Sequence, residues 1–222
     1  MIQILNPFKA AEEVRNLKSE RKWVLALVIV FVPGLLSVAG NGLIQQKTQS
    51  YTTRYVEEMG ALTETQRKAI ENIQGFIATI GIVVGIVFIA AFWILKSVVF
   101  HMLARVFGGN QAEISSTIHL VAYAYLPLIF KGLIDIYRGV TYELPSYEEF
   151  MFQIQHSDAL LNFIREHNMF FIWSLLLMAI VVREQYNLSK KKAALVVLIP
   201  YVVVWVAEFA LTSIGTQSLG GI

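Results

Sequence analysis

The chain contains no cysteine, which removes disulfides, thiolate metal sites and thiol nucleophiles at once and leaves the redox compartment open. Histidine is scarce as well, with four residues, which limits metal chemistry. Charged residues make up 15% of the sequence, whereas they are about a quarter of a typical soluble domain. The net charge of +2 comes from dispersed basic residues, so no nucleic-acid partner is expected. No Walker loop, HExxH, GxSxG or Rossmann glycine pattern occurs, so nothing signals an enzyme or a bound cofactor. No internal repeat is visible either, which gives an inverted-repeat transporter no support.

What is present is apolar: 56% of the 222 residues are hydrophobic. A helix needs about 20 apolar residues to cross the roughly 30 Å hydrocarbon core of a bilayer. Five segments approach or meet that length: residues 23–44, 73–100, 118–137, 169–182 and 193–214. The fourth is short, but Leu160 to His167 extends it outward and Arg183 can snorkel at its inner end. The expectation is an all-α integral membrane bundle of five transmembrane helices, forming one domain over residues 1–222 in contact with the lipid bilayer.

Positively charged loops stay in the cytoplasm. Lys9, Arg15, Lys18, Arg21 and Lys22 in the first tail, and Lys190, Lys191 and Lys192 in the fourth loop, fall on one side of a five-span chain. Acidic Glu143, Glu148, Glu149 and Asp158 fall on the other, with a chargeless tail ending GTQSLGGI. The N-terminus is expected inside and the C-terminus outside. Ser37-Val38-Ala39 looks like a signal-peptide cleavage site, but the long charged head with Glu12, Glu13 and Glu20 argues against one. The sequon Asn187-Leu188-Ser189 lies in an expected cytoplasmic loop, where it carries no glycan.

Capping residues place the helix ends. Asn6-Pro7 reads as an N-cap and first helical position, and Phe8, Ala11, Val14 and Leu17 recur among charges on the helix that follows. This describes an amphipathic helix over residues 1–22 lying on the inner membrane surface. Thr63 with Gln66, Ser146 with Glu149 and Asn110 with Glu113 each match a capping box. The first two put short helices in the outer loops, and the third starts the third long helix near Gln111. Ahead of it, Gly108 or Gly109 can take the left-handed conformation that ends a helix. Pro127 is expected mid-span, removing one backbone hydrogen bond and kinking the helix.

This corner, Leu103-Ala104-Arg105-Val106-Phe107-Gly108-Gly109-Asn110, followed by Leu120-Val121-Ala122-Tyr123-Ala124-Tyr125-Leu126-Pro127, resembles the Yip-domain family. These are Ypt/Rab-interacting membrane proteins and their prokaryotic relatives. Asn6-Pro7 and Trp23 are placed as such proteins often place them, and Thr63 to Ile70 is similar to a short outer helix of some prokaryotic members. The resemblance implies five spans, a cytoplasmic N-terminus and the cell membrane of a prokaryote. Eukaryotic members are linked to membrane traffic and prenylated small GTPases; prokaryotic members have no established activity. The short tail ahead of Trp23, unlike the long tails of many eukaryotic members, points away from direct GTPase binding.

Lys131, Asp135 and Glu208 are the charges that fall well inside spans. Lys131 and Asp135, four apart, share a helix face and can neutralise each other. An intramembrane ionisable group is a functional candidate because its exposure to lipid is costly, so the three are a candidate polar site, against the plainer reading of a structural ion-pair cluster. Gly81 and Gly85, and Gly34 with Ser37 and Gly40, read as close-packing surfaces. His101 and His119, near the inner membrane edge, read as hydrogen-bonded structural residues rather than metal or proton sites. The sequence therefore favours a non-enzymatic scaffold that organises membrane or recruits a protein partner at the cytoplasmic face. The alternative is a small transporter or channel using Lys131, Asp135 and Glu208.

Overall fold

The computed structural model describes residues 2–19, 21–59, 64–155 and 167–219, with side chains described for these except residues 2, 55–82, 154–155 and 208–219. Every regular element among them is helical. A 3-10 turn, Ile2–Leu5, precedes α1 (Pro7–Ser19), α2 (Trp23–Met59), α3 (Glu64–Val106), α4 (Ile114–Tyr123), α5 (Leu126–Thr141), α6 (Tyr147–Gln155), α7 (Met169–Tyr186) and α8 (Lys190–Leu219).

Three helices are long and apolar enough to cross a membrane, through Trp23–Arg54, Val83–Val106 and Met169–Tyr186. The broken pair α4 and α5 passes the same test jointly, which makes up to four spans among the described residues. Val83, Val87, Phe88, Phe92 and Leu95 stay exposed along α3, as side chains facing lipid tails do. The expected fifth span, residues 193–214, falls within α8 and runs past the last described side chain.

Several boundaries differ from the expectation. The first span does not stop at Ile44: α2 continues to Met59, because no proline or glycine interrupts residues 45–59. Thr48, Thr52 and Thr53 return their hydroxyls to carbonyls of the preceding turn along this extension. In place of a separate outer helix and a second span, α3 is one helix from Glu64 to Val106. The capping residue Thr63 and the side chain of Gln66 lie outside the described residues, as do Asp158, the extension from Leu160 and the environment of Gly81. Two expected caps are present: Asn6 Oδ1 accepts the Phe8 N–H at 3.0 Å, and Ser146 Oγ accepts the Glu149 N–H at 3.2 Å.

The interruption expected at Pro127 is present within the α4–α5 pair that passes the span test jointly, but as a break in place of a kinked continuous helix: Pro127 lies in the first turn of α5. A prolyl residue lacks the N–H that a helix interior needs, but the first turn has no acceptor for that N–H, so the chain breaks at Ala124–Tyr125 and restarts with proline in a harmless position. The break frees the carbonyl of Ala124, and Ser174 Oγ of α7 donates to it at 2.7 Å.

The chain divides into two compact units. Unit 1 comprises residues 1–26, 93–124 and 173–222; unit 2 comprises residues 27–92 and 125–172. In unit 2, α2 and α5 pack through glycines: a Cβ on Gly40 would overlap the Asp135 carbonyl, and one on Gly139 would overlap the Gly40 carbonyl. Tyr51 donates its hydroxyl to Pro145 O at 2.9 Å, and Lys47 donates to Val140 O in the last turn of α5 and to Tyr142 O just past it.

Candidate functional site

In unit 1 the C-terminal ends of α3 and α7 lie together, so α4 and α8 both start from the same end. Gly108 ends α3 with φ +82°, the left-handed conformation that glycine adopts without strain. Gly109 then donates its N–H to Ala104 O at 2.9 Å and is packed so closely that a Cβ would lie 2.9 Å from Tyr186 Cβ. The Asn110 N–H crosses to Tyr186 O at 2.9 Å. This overturns the expected capping box: α4 starts at Ile114, its cap position is Glu113, and no side chain caps it. The Asn110 backbone is committed to α7, which delays the helix start.

Lys192 reaches the same corner, donating from Nζ to Phe107 O at 2.8 Å. Ser189 Oγ caps α8 through the Lys192 N–H at 3.4 Å. The turn between α7 and α8 passes through Asn187 at φ 54°, a conformation asparagine tolerates better than most residues.

The N-terminal tail joins this end. The apolar residues Ala10, Val14 and Leu17 of α1 are buried, and α1 packs against α4. The expected membrane-surface helix therefore turns its apolar face to the protein, leaving Phe8 exposed at 96%. Arg15 pairs with Glu184 at 2.8 Å, and Arg183 holds the other oxygen of the same carboxylate at 2.9 Å. Arg21 pairs with Glu113, which also accepts from Ser115 at 3.2 Å. The Arg21 hydrogen bond and charge, helped by Ser115, hold the Glu113 carboxyl below its ordinary pKa.

Behind the corner is a buried polar cluster. The hydroxyl of Tyr186, which is fully buried, lies 2.6 Å from His101 Nδ1 and 2.5 Å from Thr117 Oγ1. His119, also fully buried, accepts the Lys22 backbone N–H on Nε2 at 3.0 Å. That bond puts the proton of the neutral ring on Nδ1, which has no partner among the described residues. Trp23 and Tyr123 meet the ring edge-on at 5.3 and 5.2 Å. The two histidines thus serve separate contacts, and among the described residues no three His, Asp or Glu side chains are grouped to hold a metal ion.

The Yip1 domain profile matches residues 2–211, the whole of this corner included. The chain belongs to the Yip1 domain family. No curated protein and no solved structure matches it. The Yip1 family consists generally of non-enzymatic membrane-trafficking proteins.

Of the residues that carried the Yip1 resemblance, Gly108, Gly109 and Asn110 form the turn, Arg105 is exposed beside it, and Tyr123 is buried against His119. The candidate membrane charges lie partly in unit 2, where Lys131 Nζ donates to Asp135 Oδ2 at 2.7 Å and Ser37 Oγ donates to the same oxygen at 2.6 Å. Glu208 lies on α8 with its side chain outside the described residues. Sequence reasoning missed Thr117, Tyr186 and the spacing of Gly132 and Gly139. The two glycines are seven apart and therefore on one helix face, a signal that was available. Nothing local marks Tyr186, whose role comes from a partner far away in sequence.

Proposed function

We propose that this Yip1-domain membrane protein acts without enzymatic chemistry, as a scaffold that recruits a protein partner to the end of unit 1. The observation that carries this reading is the joining of three separate basic segments at that end: the tail through Arg15–Glu184 and Arg21–Glu113, the corner through Asn110–Tyr186, and the start of α8 through Lys192–Phe107. The concentration of Lys and Arg supports a cytoplasmic position for this end. The 30-residue length of α8 supports a fifth span, and an odd number of spans is the arrangement in which the C-terminus lies opposite a cytoplasmic N-terminus.

A second reading, a small transporter or channel, draws on the Lys131–Asp135–Ser37 contact, since charges kept inside a span are expensive. Crosslinking pull-down from native membranes, run beside a flux screen in proteoliposomes, separates the two. The scaffold reading expects a specific captured partner that is lost when the corner is altered, and no flux. Substrate-dependent flux abolished by Glu208→Ala would sink it. For orientation, cysteines placed at Ser19 and Ser189 are expected to label from the cytoplasm and those at Ser146 and Ser218 from outside; labelling of Ser19 and Ser218 from one side contradicts five spans.

A further inference from the structure

The basic residues of the corner outnumber the acids that face them. Glu113 is held by Arg21, and Glu184 is shared by Arg15 and Arg183, so both corner acids are already neutralised. Arg105, Lys190 and Lys191 are exposed, and none has an ion-pair partner among the described residues. Lys192 gives one N–H to Phe107 O, which fixes its ammonium over the turn and leaves two donors without a partner among the described residues. Its Nζ would be 3.8 Å from a Cβ on Gly108, and, chain neighbours aside, no other described atom comes within 4 Å of that position. One side of the turn is thus open, with a fixed cation at its rim.

The start of α8 also breaks a local rule. Its first turn contains Lys190, Lys191 and Lys192 and no acid, although a helix N-terminus is the positive end of the dipole and favours Asp or Glu. Three cations where the helix already carries positive charge oppose folding unless something negative joins them. No described acidic side chain does so. Such a conflict between local preference and structure marks a functional position.

The surroundings identify the anion's source. Arg105 lies at the end of the Val83–Val106 span, flanked by Met102 and Val106, which are 61% and 80% exposed. On α8 the lysines give way to exposed Leu195, Leu198 and Ile199. Cations therefore sit where lipid-facing apolar side chains end, at the level of the headgroups. We infer that Arg105, Lys190, Lys191 and Lys192 form a binding site for the phosphate of an anionic phospholipid headgroup. Arg105 supplies a planar fork for phosphate oxygens, and the lysines supply point charges around it. This goes beyond partner recruitment and can fail while that reading stands, since a pull-down does not depend on it.

The test uses the full chain in a neutral detergent, with retained lipid counted by native mass spectrometry during titration with phosphatidylglycerol or phosphatidylcholine. Phosphatidylglycerol is expected to be preferred, with the preference shrinking as salt is added. Lys190→Gln with Lys191→Gln is expected to weaken it by roughly 25-fold, at about fivefold per basic residue near the headgroups. Both side chains are exposed and stand at the positive end of the helix dipole, so the double variant is expected to melt no lower than the wild type, which separates lost lipid binding from lost folding. Arg105→Gln, on a different helix, weakens the preference independently, and Arg105→Lys restores part of it. Equal retention of the two lipids, or an undiminished preference in both glutamine variants, overturns the inference. So does displacement of phosphatidylglycerol by free glycerol phosphate at comparable concentration, which would make the site one for a soluble phosphate.

Discussion

The backbone N–H of Asn110 donates to the carbonyl of Tyr186 at 2.9 Å, which joins the turn after α3 to the last residue of α7. Two stretches far apart in sequence are held by main-chain atoms, so the identity of the Asn110 side chain matters little. Asn110→Ala is expected to change stability by less than about 0.5 kcal/mol, not the 1 kcal/mol or so lost with a helix cap. Gly109→Ala is the contrasting variant: its Cβ would lie 2.8 Å from Ala104 O and 2.9 Å from Tyr186 Cβ, both too close. It is expected to cost about 1–3 kcal/mol, the range for overpacking. Thermal unfolding in detergent ranks the two, and equal melting temperatures would show that the contact is not tight.

Tyr186→Phe removes the hydroxyl that bridges His101 and Thr117 while keeping the ring. Thr117 is fully buried and retains only a 3.4 Å contact to Glu113 O. Leaving a buried polar group poorly satisfied costs about 1–3 kcal/mol, and that loss in thermal unfolding is the expected result. A variant as stable as the parent would mean that water replaces the hydroxyl.

Much of this fold was legible because it follows local rules. Asn6 and Ser146 cap helices as their types predict, and the double glycine ends α3 where a left-handed residue was required. Pro127 foretold the interruption between α4 and α5 but not its form: a break at Ala124–Tyr125, in place of a kink in one continuous helix, depends on Ser174, distant in sequence, which covers a carbonyl. Asn110 misled because its backbone is taken by α7, also distant in sequence. At the candidate site, the basic segments were visible in sequence. Their joining through Glu113 and Glu184 was not, since neither acid stands near its arginine partners Arg21 and Arg15 in the chain.

Unit 2 offers a comparison among glycines. Gly139→Ala would drive a methyl group into the Gly40 carbonyl, whereas Gly42→Ala on the same pair's other helix meets nothing within 4 Å. Gly139→Ala is expected to lose about 1–3 kcal/mol. Gly42→Ala is expected to be neutral or to gain up to about 1 kcal/mol from helix propensity. Unfolding midpoints of the two single variants check this, and a reversed order would contradict the packing of α2 on α5.

The Arg21–Glu113 pair makes a pH prediction. Because the folded state depresses the Glu113 pKa below the ordinary 4.5, the pair's contribution is fully present above that value and is lost as pH falls through the folded pKa. Glu113→Gln imitates the protonated side chain. The parent is expected to melt above this variant at neutral pH, with the gap closing only in acid below the ordinary carboxylate range. A gap that is constant down to the most acidic point tested would show that Glu113 acts through something other than its charge.

The Lys131–Asp135 pair separates structural from functional charge. Asp135 is 9% exposed and accepts from both Lys131 and Ser37. Asp135→Leu leaves the Lys131 ammonium without its counter-ion inside a span and is expected to lose about 3 kcal/mol or more, as breaking a buried pair does. Replacing both residues, Lys131→Met with Asp135→Leu, removes the two charges together and is expected to recover most of that loss, because an apolar pair of similar volume avoids the desolvation penalty altogether. Partner capture should follow stability, low in the single variant and restored in the double. If the double variant is stable yet inactive, and in particular if it loses a flux that the parent shows, the charges serve a ligand or an ion rather than the fold. The transporter reading would then replace the scaffold.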